Sequence, residues 1–228
     1  MKAMKASIFC DPKKSRELWH DLLKYTTIFR YYVDMVHEGE FGGVPSNLEE
    51  PIMTLGAVAT RGALFTRNIS LLSKLELGSI KIQKEAIDIF IFLQESLARM
   101  QPLLAEKKLS SRLSHSTVFS LEVDRRHVAF LLDNMLYLII ALTTEEGEVE
   151  VKFTKMKRGI ILEGKTLISE VTELDLKKMG EEDSLWSEKG QPNDLTLAAY
   201  ILKTMSKKCG ASFDLKKQKN KIIISYMS

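Results

Sequence analysis

The sequence predicts an α+β protein: a two-helix hairpin that dimerises into a four-helix bundle, followed by an α/β sandwich. Three observations point there. Apolar side chains recur at Leu18, Leu22, Tyr25, Phe29, Tyr32 and Val36 in a 4-3-4-3-4 spacing, which reads as the a/d seam of a bundle helix. A second run places Ile52, Leu55, Val58, Ala59, Phe65, Ile69 and Leu72 at three- and four-residue steps. Beyond Gly78, short alternating segments mix with helical ones, the pattern of a layered α/β unit.

Taken in order, the first helix is expected from about Pro12 or Ser15 to about His37, ended by the Gly/Pro loop Glu38–Pro45. Ser46-Asn47-Leu48-Glu49 reads as a capping box for the second helix, and Pro51 is tolerable because it lies near that helix's start. A lone hairpin leaves apolar surface exposed, and two copies bury it as a four-helix bundle, so a homodimer is expected. Gly78 marks the boundary between a helical domain, 1–78, and a sandwich domain, 79–228. Ser79–Gln83 alternates as a short strand, and Ala86 to about Lys107 reads as a helix. Strands are expected around Leu109–Leu113 and Val118–Val123, then a helix opened by Asp124 and running through Leu142. Glu148–Phe153 and Gly159–Glu163 alternate as strands, and the polar stretch Glu170–Asn193 reads as loop. Leu195–Cys209 reads as a helix with Gly210 at its C′ position, ahead of a hairpin of Ser212–Leu215 and Ile222–Tyr226.

Composition excludes several classes. A 228-residue chain with 45% apolar residues has room for two domains with real cores, so it is no disordered tail. Basic residues exceed acids by only three, which makes no electrostatic case for nucleic acid as a partner. Two cysteines, Cys10 and Cys209, make neither a disulfide framework nor a zinc site, and a reducing cytoplasm is the default. Val128–Leu142, the most apolar stretch, is interrupted by Asp133 and Asn134 and is too short for a bilayer. The first ten residues lack a signal-peptide h-region, so no membrane anchor and no sensor module are expected.

One histidine stands out. On the seam's register His20 falls at an f position, facing water, and Lys24, Thr27, Tyr31 and Asp34 share its face. By itself, a surface histidine is most often only that. Asp21 beside it has a plain role as an acid favouring the helix N-terminus, and His37 one as a dipole partner at the helix end. His115 and His127 show no metal-ligand spacing, and Trp186, in the polar stretch, is open to either a cleft-capping or a partner-contacting role.

Four segments give the chain a family resemblance. His20-Asp21-Leu22 resembles the start of an H-box, and Asn68–Gly78 is similar to the end of the second hairpin helix in that family. Asp124–Asn134 resembles the lead-in to an N-box, and Thr143–Val149 resembles the turn and strand after it. The order is that of the cytoplasmic half of a bacterial sensor histidine kinase. The resemblance implies a dimerisation and phosphoacceptor hairpin, then an ATP-binding domain of the Bergerat type.

The departures carry as much meaning. The N-box has two asparagines four apart, the second a usual ligand of the nucleotide's magnesium; Asn134 fits the first, but Leu138 stands at the second and offers no oxygen. The Asp-x-Gly-x-Gly box is absent, since Gly159, Gly164, Gly180 and Gly190 lie in no such spacing. Asn193-Asp194-Leu195-Thr196-Leu197 replaces the glycine-rich turn that holds phosphate at a helix start. A degenerate Bergerat domain that binds no ATP, with no cofactor of its own, is therefore expected.

A kinase-like dimer that keeps the histidine and loses the nucleotide site resembles the histidine phosphotransferases, of the ChpT type or the sporulation type. That resemblance implies transfer of a phosphoryl group between receiver-domain aspartates of response regulators and His20. Asp21 would tune the imidazole, the receiver would supply Mg2+, and Lys24, Thr27, Tyr31 and Asp34 would dock it. Histidine's ordinary pKa of about 6.5 supplies a neutral nucleophile near pH 7. Tyr25 stands where the H-box usually has proline, and Lys24 where phosphatase-competent kinases have threonine or asparagine, which tells against receiver dephosphorylation as the main activity. Two other readings remain: a pseudokinase scaffold, and a divergent ATP-dependent histidine kinase.

Overall fold

The computed structural model describes residues 12–115, 120–156, 159–165, 176, 178–179, 181, 194–218 and 221–227. It divides into two compact units, Met1–Lys81 and Ile82–Ser228.

The first unit is a helical hairpin. Helix α1 spans Pro12–His37 and helix α2 spans Glu49–Glu76, and the two pack on each other. Between them lie a turn and a 3-10 segment, Ser46–Leu48. The expected capping box does not form: α2 starts behind Leu48 with no side-chain cap, because Ser46 is spent inside the 3-10 turn. Glu49 and Glu50 in the first turn face the positive end of the helix dipole instead. Pro51 is accommodated in that same turn, where its missing N–H leaves no gap.

The expected α1 seam needs correction. Leu22, Tyr25, Phe29 and Tyr32 are exposed, at 39%, 68%, 47% and 56%, and so are Leu55 and Val58 on α2. The half-buried side chains of α1 are instead Trp19, Leu23, Thr26, Arg30 and Val33, joined near the helix end by Asp34, Met35 and the seam residue Val36. At 100° per residue Trp19, Leu23, Thr26, Arg30 and Val33 lie about 220–300° round the helix from His20, whereas the exposed Leu22, Tyr25, Phe29 and Tyr32 lie about 120–200° away. The seam is thus a second face, next to the half-buried one and open in a single chain. α2 is the better covered helix, with Ala57, Ala59, Thr60, Ala63, Leu64, Ile69 and Leu72 buried.

The second unit is α+β. Its five-stranded sheet runs β2-β4-β5-β7-β6, from β2 (Ser110–His115), β4 (Glu148–Met156), β5 (Gly159–Lys165), β6 (Ser212–Gln218) and β7 (Lys221–Met227). β2 and β4 are parallel and the other pairs antiparallel. β1 (Glu85–Asp88) and β3 (Ser120–Val123) form a separate antiparallel pair. The helices are α3 (Ile89–Arg99), α4 (Gln101–Glu106), α5 (Arg125–Leu142) and α6 (Asp194–Lys208). α5 packs against both α3 and α6.

Two expectations fail here. Ser79–Gln83 is not a strand; the strand comes later, at Glu85–Asp88, where Ile87 points into the core. The helix expected from Ala86 is broken at Met100, because Pro102 cannot donate to Ala98 and instead starts a new turn. Asp88 caps α3, accepting from the N–H of Phe90 at 2.9 Å. α6 ends at Gly210, whose φ of +73° favours glycine, and the N–H of Ala211 closes on the carbonyl of Ser206 at 2.8 Å.

The core gathers round α5, which is buried on all sides: Leu132, Met135, Leu136, Leu138, Ile139 and Ile140 are at most 1% exposed. Val149 and Val151 of β4 and Ile224 of β7 are fully buried from the sheet. Most of the polar stretch Glu170–Asn193, with Trp186, Gly180 and Gly190, lies outside the described residues. Within it Leu176 is helical and buried, so not all of that stretch is loop.

Candidate functional site

The outward face of α1 carries the sequence's candidate residues. His20, Lys24, Thr27 and Tyr31 are exposed, and Asp34 is half-exposed. Their spacing sets them in one stripe, within about 40° either side of His20. The stripe is not passive. Asp34 pairs with Arg30, Nε to Oδ2 at 3.4 Å, and the Thr27 hydroxyl donates back to the Leu23 carbonyl at 2.7 Å. Tyr31 meets Tyr32 edge-on, with ring centroids 6.0 Å apart. The stripe therefore reaches from His20 through a cation, a hydroxyl and a phenol to an anchored carboxylate, over about four turns of helix. Asp21 continues the helix, but its side chain lies outside those described.

In the second unit the residues at the N-box positions are turned inward. Asn134 is fully buried and spends its amide on its own helix, donating from Nδ2 to the Phe130 carbonyl at 2.9 Å. Leu138 is fully buried as well and is part of the core. Neither position presents an oxygen to a cation, so these residues do not fit a nucleotide's magnesium. Of the stretch that stands in place of the glycine-rich turn, Asp194–Leu197 opens α6 and Asn193 lies outside the described residues; Gly159 and Gly164 lie in β5, and Gly180 and Gly190 lie outside the described residues. Among the described residues no group of three or more His, Cys, Asp and Glu side chains could hold a metal ion.

Around α5 stand three polar devices, and the first two are not revealed by spacing alone. The fully buried Asp133 carboxylate accepts from Arg99 Nη2 at 2.9 Å and Nε at 3.2 Å, and Arg99 also donates to the Ser96 hydroxyl at 2.8 Å. Lys107 donates to the carbonyls of Ile140, Ala141 and Thr143, covering the C-terminal end of α5. Burial pushes its ammonium below the usual lysine range, against the opposing pull of Glu145 and Glu106. Asp124 caps the other end, Oδ1 accepting from the N–H groups of Arg126 at 3.0 Å and His127 at 3.3 Å.

Beside that cap lies a cavity of about 20 Å³, lined by Ile82, Val123, Asp124, His127, Val128 and Cys209 among others. It has room for roughly one water. His127 Nδ1 is 3.1 Å from Asp124 Oδ1, within ion-pair distance but without the alignment of a hydrogen bond, so the contact is electrostatic. Burial lowers the His127 pKa below 6.5, and Arg126 adds to this while Asp124 opposes it. Burial alone would raise Asp124; the Gln83 amide, His127 and the two capping amides outweigh it and hold the carboxyl below its ordinary value.

The sequence matches no family model, and no curated protein is similar to it. Solved structures are. The chain aligns with Acinetobacter baumannii histidine kinase AdeS over 92% of its own length and 97% of that chain, at 17% identity and a TM-score of 0.54. Full-length ShkA, solved in complex with AMPPNP, matches over 95% of this chain and 46% of its own, at 14% identity and a TM-score of 0.61. The nucleotide-free catalytic domain of histidine kinase ThkA matches 63% of this chain and 94% of its own, at 13% identity and a TM-score of 0.53. At such identities the likeness establishes fold: this is a histidine-kinase-like α+β core. Among the described residues, no helix is long and apolar enough to cross a membrane.

Proposed function

We propose that this chain, built on a histidine-kinase-like fold, is a histidine phosphotransferase of a two-component phosphorelay. It passes phosphoryl groups between receiver aspartates through His20 and takes none from ATP. The observation that carries the reading is the exposure of His20 on a regular helix, on a different side from the open apolar seam. A second copy docked on Leu22, Tyr25, Phe29 and Tyr32 would bury the seam and leave His20 open to a partner.

The chemistry asks little of this chain beyond placement. A neutral ring nitrogen of His20 attacks the phosphorus of a receiver's aspartyl phosphate in line. The N–P bond forms as the P–O bond to the carboxylate breaks, and the carboxylate leaves with the electron pair. The proton on the other ring nitrogen passes to Asp21 or to water. The reverse sequence loads a second receiver. Charge on the transferring group is met by Mg2+ and cations held in the receiver, and Lys24, one helical turn from His20, adds a further positive charge. Thr27, Tyr31 and Asp34 extend the same stripe as docking contacts for the receiver. No ATP is needed, and the inward-turned Asn134 and the buried Leu138 support its exclusion.

A relay assay tests this. Receiver domains labelled on aspartate should pass label to the wild-type chain, and His20→Gln should accept none while keeping its fold. Label that still moves through His20→Gln overturns the proposal. Micromolar ATP binding by calorimetry overturns the nucleotide-free part and favours a divergent kinase. Transfer to no receiver, with tight receiver binding, leaves a scaffold.

A further inference from the structure

The short segment that joins the two units is fastened at both ends. On one side, Gly78 adopts a φ of +62° and closes α2, the N–H groups of Gly78 and Ser79 binding the carbonyls of Leu75 at 3.0 Å and Lys74 at 3.1 Å. The Ser79 hydroxyl adds a bond to the same Lys74 carbonyl at 3.2 Å. On the other side, the N–H of Gln83 donates to Asp124 Oδ2 at 2.7 Å. Arg126 Nη2 reaches the Gln83 side-chain oxygen at 3.5 Å. Asp124 is 5% exposed while Gln83 is exposed, so this is a part-buried, charge-assisted bond, among the stronger kind in a protein. Between the fastened points stand Ile80, Lys81 and Ile82, with no regular structure; Lys81 is exposed and the other two are half-buried.

We infer that Asp124 is a clasp that fixes the incoming linker to the second unit, so that bending between the units is confined to Ile80–Ile82. The assignment goes beyond phosphotransfer and stands whether or not His20 carries phosphate. One carboxylate does two jobs: Oδ1 caps α5, and Oδ2 holds Gln83. Releasing Oδ2 would extend the free segment by Gln83 and Lys84, up to β1 at Glu85. Two more residues lengthen the reach by up to about 7 Å. The clasp thus sets the length of unfastened chain between the units. Ile82 leans into the cavity beneath the first turn of α5, an apolar contact that assists the clasp without replacing it.

Backbone order measured by 15N relaxation on the full chain tests this residue by residue. Order parameters near 0.85 are expected at Ser79 and Gln83, and below about 0.6 at Lys81. Asp124→Ser keeps a good N-cap for α5 but is too short to hold Gln83. In it the flexible stretch should extend through Lys84, and the Gln83 amide should exchange roughly tenfold faster or more. Gln83→Pro removes the donor and leaves the cap of α5 intact; Lys84 should loosen there as well. The proposal is overturned if Ile80–Ile82 is as ordered as its flanks, if Gln83 stays rigid in Asp124→Ser, or if Lys84 stays rigid in Gln83→Pro.

Discussion

Asp124 and His127 bring two acid-sensitive groups together at a single helix end. Both side chains are largely buried, at 3% and 13% exposed, and they touch at 3.1 Å. Lys84 and Glu122 face the same cavity, and Arg126 follows from the same helix turn. Burial keeps the His127 imidazole neutral to lower pH than an ordinary histidine, whose value is 6.5. Between that lowered value and 6.5 the unfolded chain takes a proton that the folded chain refuses, so stability falls as pH drops through the window. Asp124 works in the opposite range. Its folded value lies below 3.8, so its contribution is complete above 3.8 and is lost as pH falls through the folded value. Urea midpoints measured from pH 7 to pH 5 should therefore decline for the wild type. His127→Gln should flatten that decline, while the loss below pH 3.8 should persist in it. An unchanged slope between pH 6.5 and 5 would remove His127 from this role.

At the scale of elements, the arginine that ends α3 is tied to the middle of α5. Arg99 is the partner of a fully buried carboxylate, and removing one side of such a pair is costlier than removing both. Arg99→Ala should destabilise the second unit by about 3 kcal/mol or more, since Asp133 would lose its cation inside the core. Arg99→Met with Asp133→Leu should recover most of that loss, read as the difference in urea midpoints. The sequence exposed some of these elements and hid others for physical reasons. α1 and α5 were legible because each has a long apolar period, and Asp124 stands where an N-cap belongs. Asp133 read only as an interruption of an apolar run, because its partner lies 34 residues away and no local pattern joins them. Ser46 matched a capping box, yet the preceding proline steers the chain into a 3-10 turn that consumes it. The β1 strand fell inside a helical pattern, since Ile87 and Ile89 satisfy either period and only tertiary pairing with β3 decides.

For the molecule as a whole, the decisive surface is the seam that one chain leaves open. Its apolar spacing was plain in the sequence, but spacing does not say which neighbour fills a seam. Trp19, Leu23 and Thr26 carry the half-buried side of α1, so Leu22, Tyr25, Phe29 and Tyr32 remain exposed together along several turns of helix. Four such side chains on one face are a costly surface for a monomer, and burying the remaining half of each is worth about 1 kcal/mol apiece. A two-fold arrangement doubles the gain with the same four residues, because an isologous interface uses one patch twice. That gain must exceed an association cost of roughly 4–15 kcal/mol, which leaves little margin for a charge placed inside the patch. Phe29→Glu with Tyr32→Glu sets four carboxylates facing one another across the axis. Light scattering at micromolar concentration should give twice the chain mass for the wild type and the single chain mass for this variant. His20 lies on another side of α1 and is expected to keep its exposure in both. A wild-type chain that runs as a monomer, or a variant that stays paired, would show that the seam is not the dimer face. The relay would then have to work from a hairpin covered by some other partner.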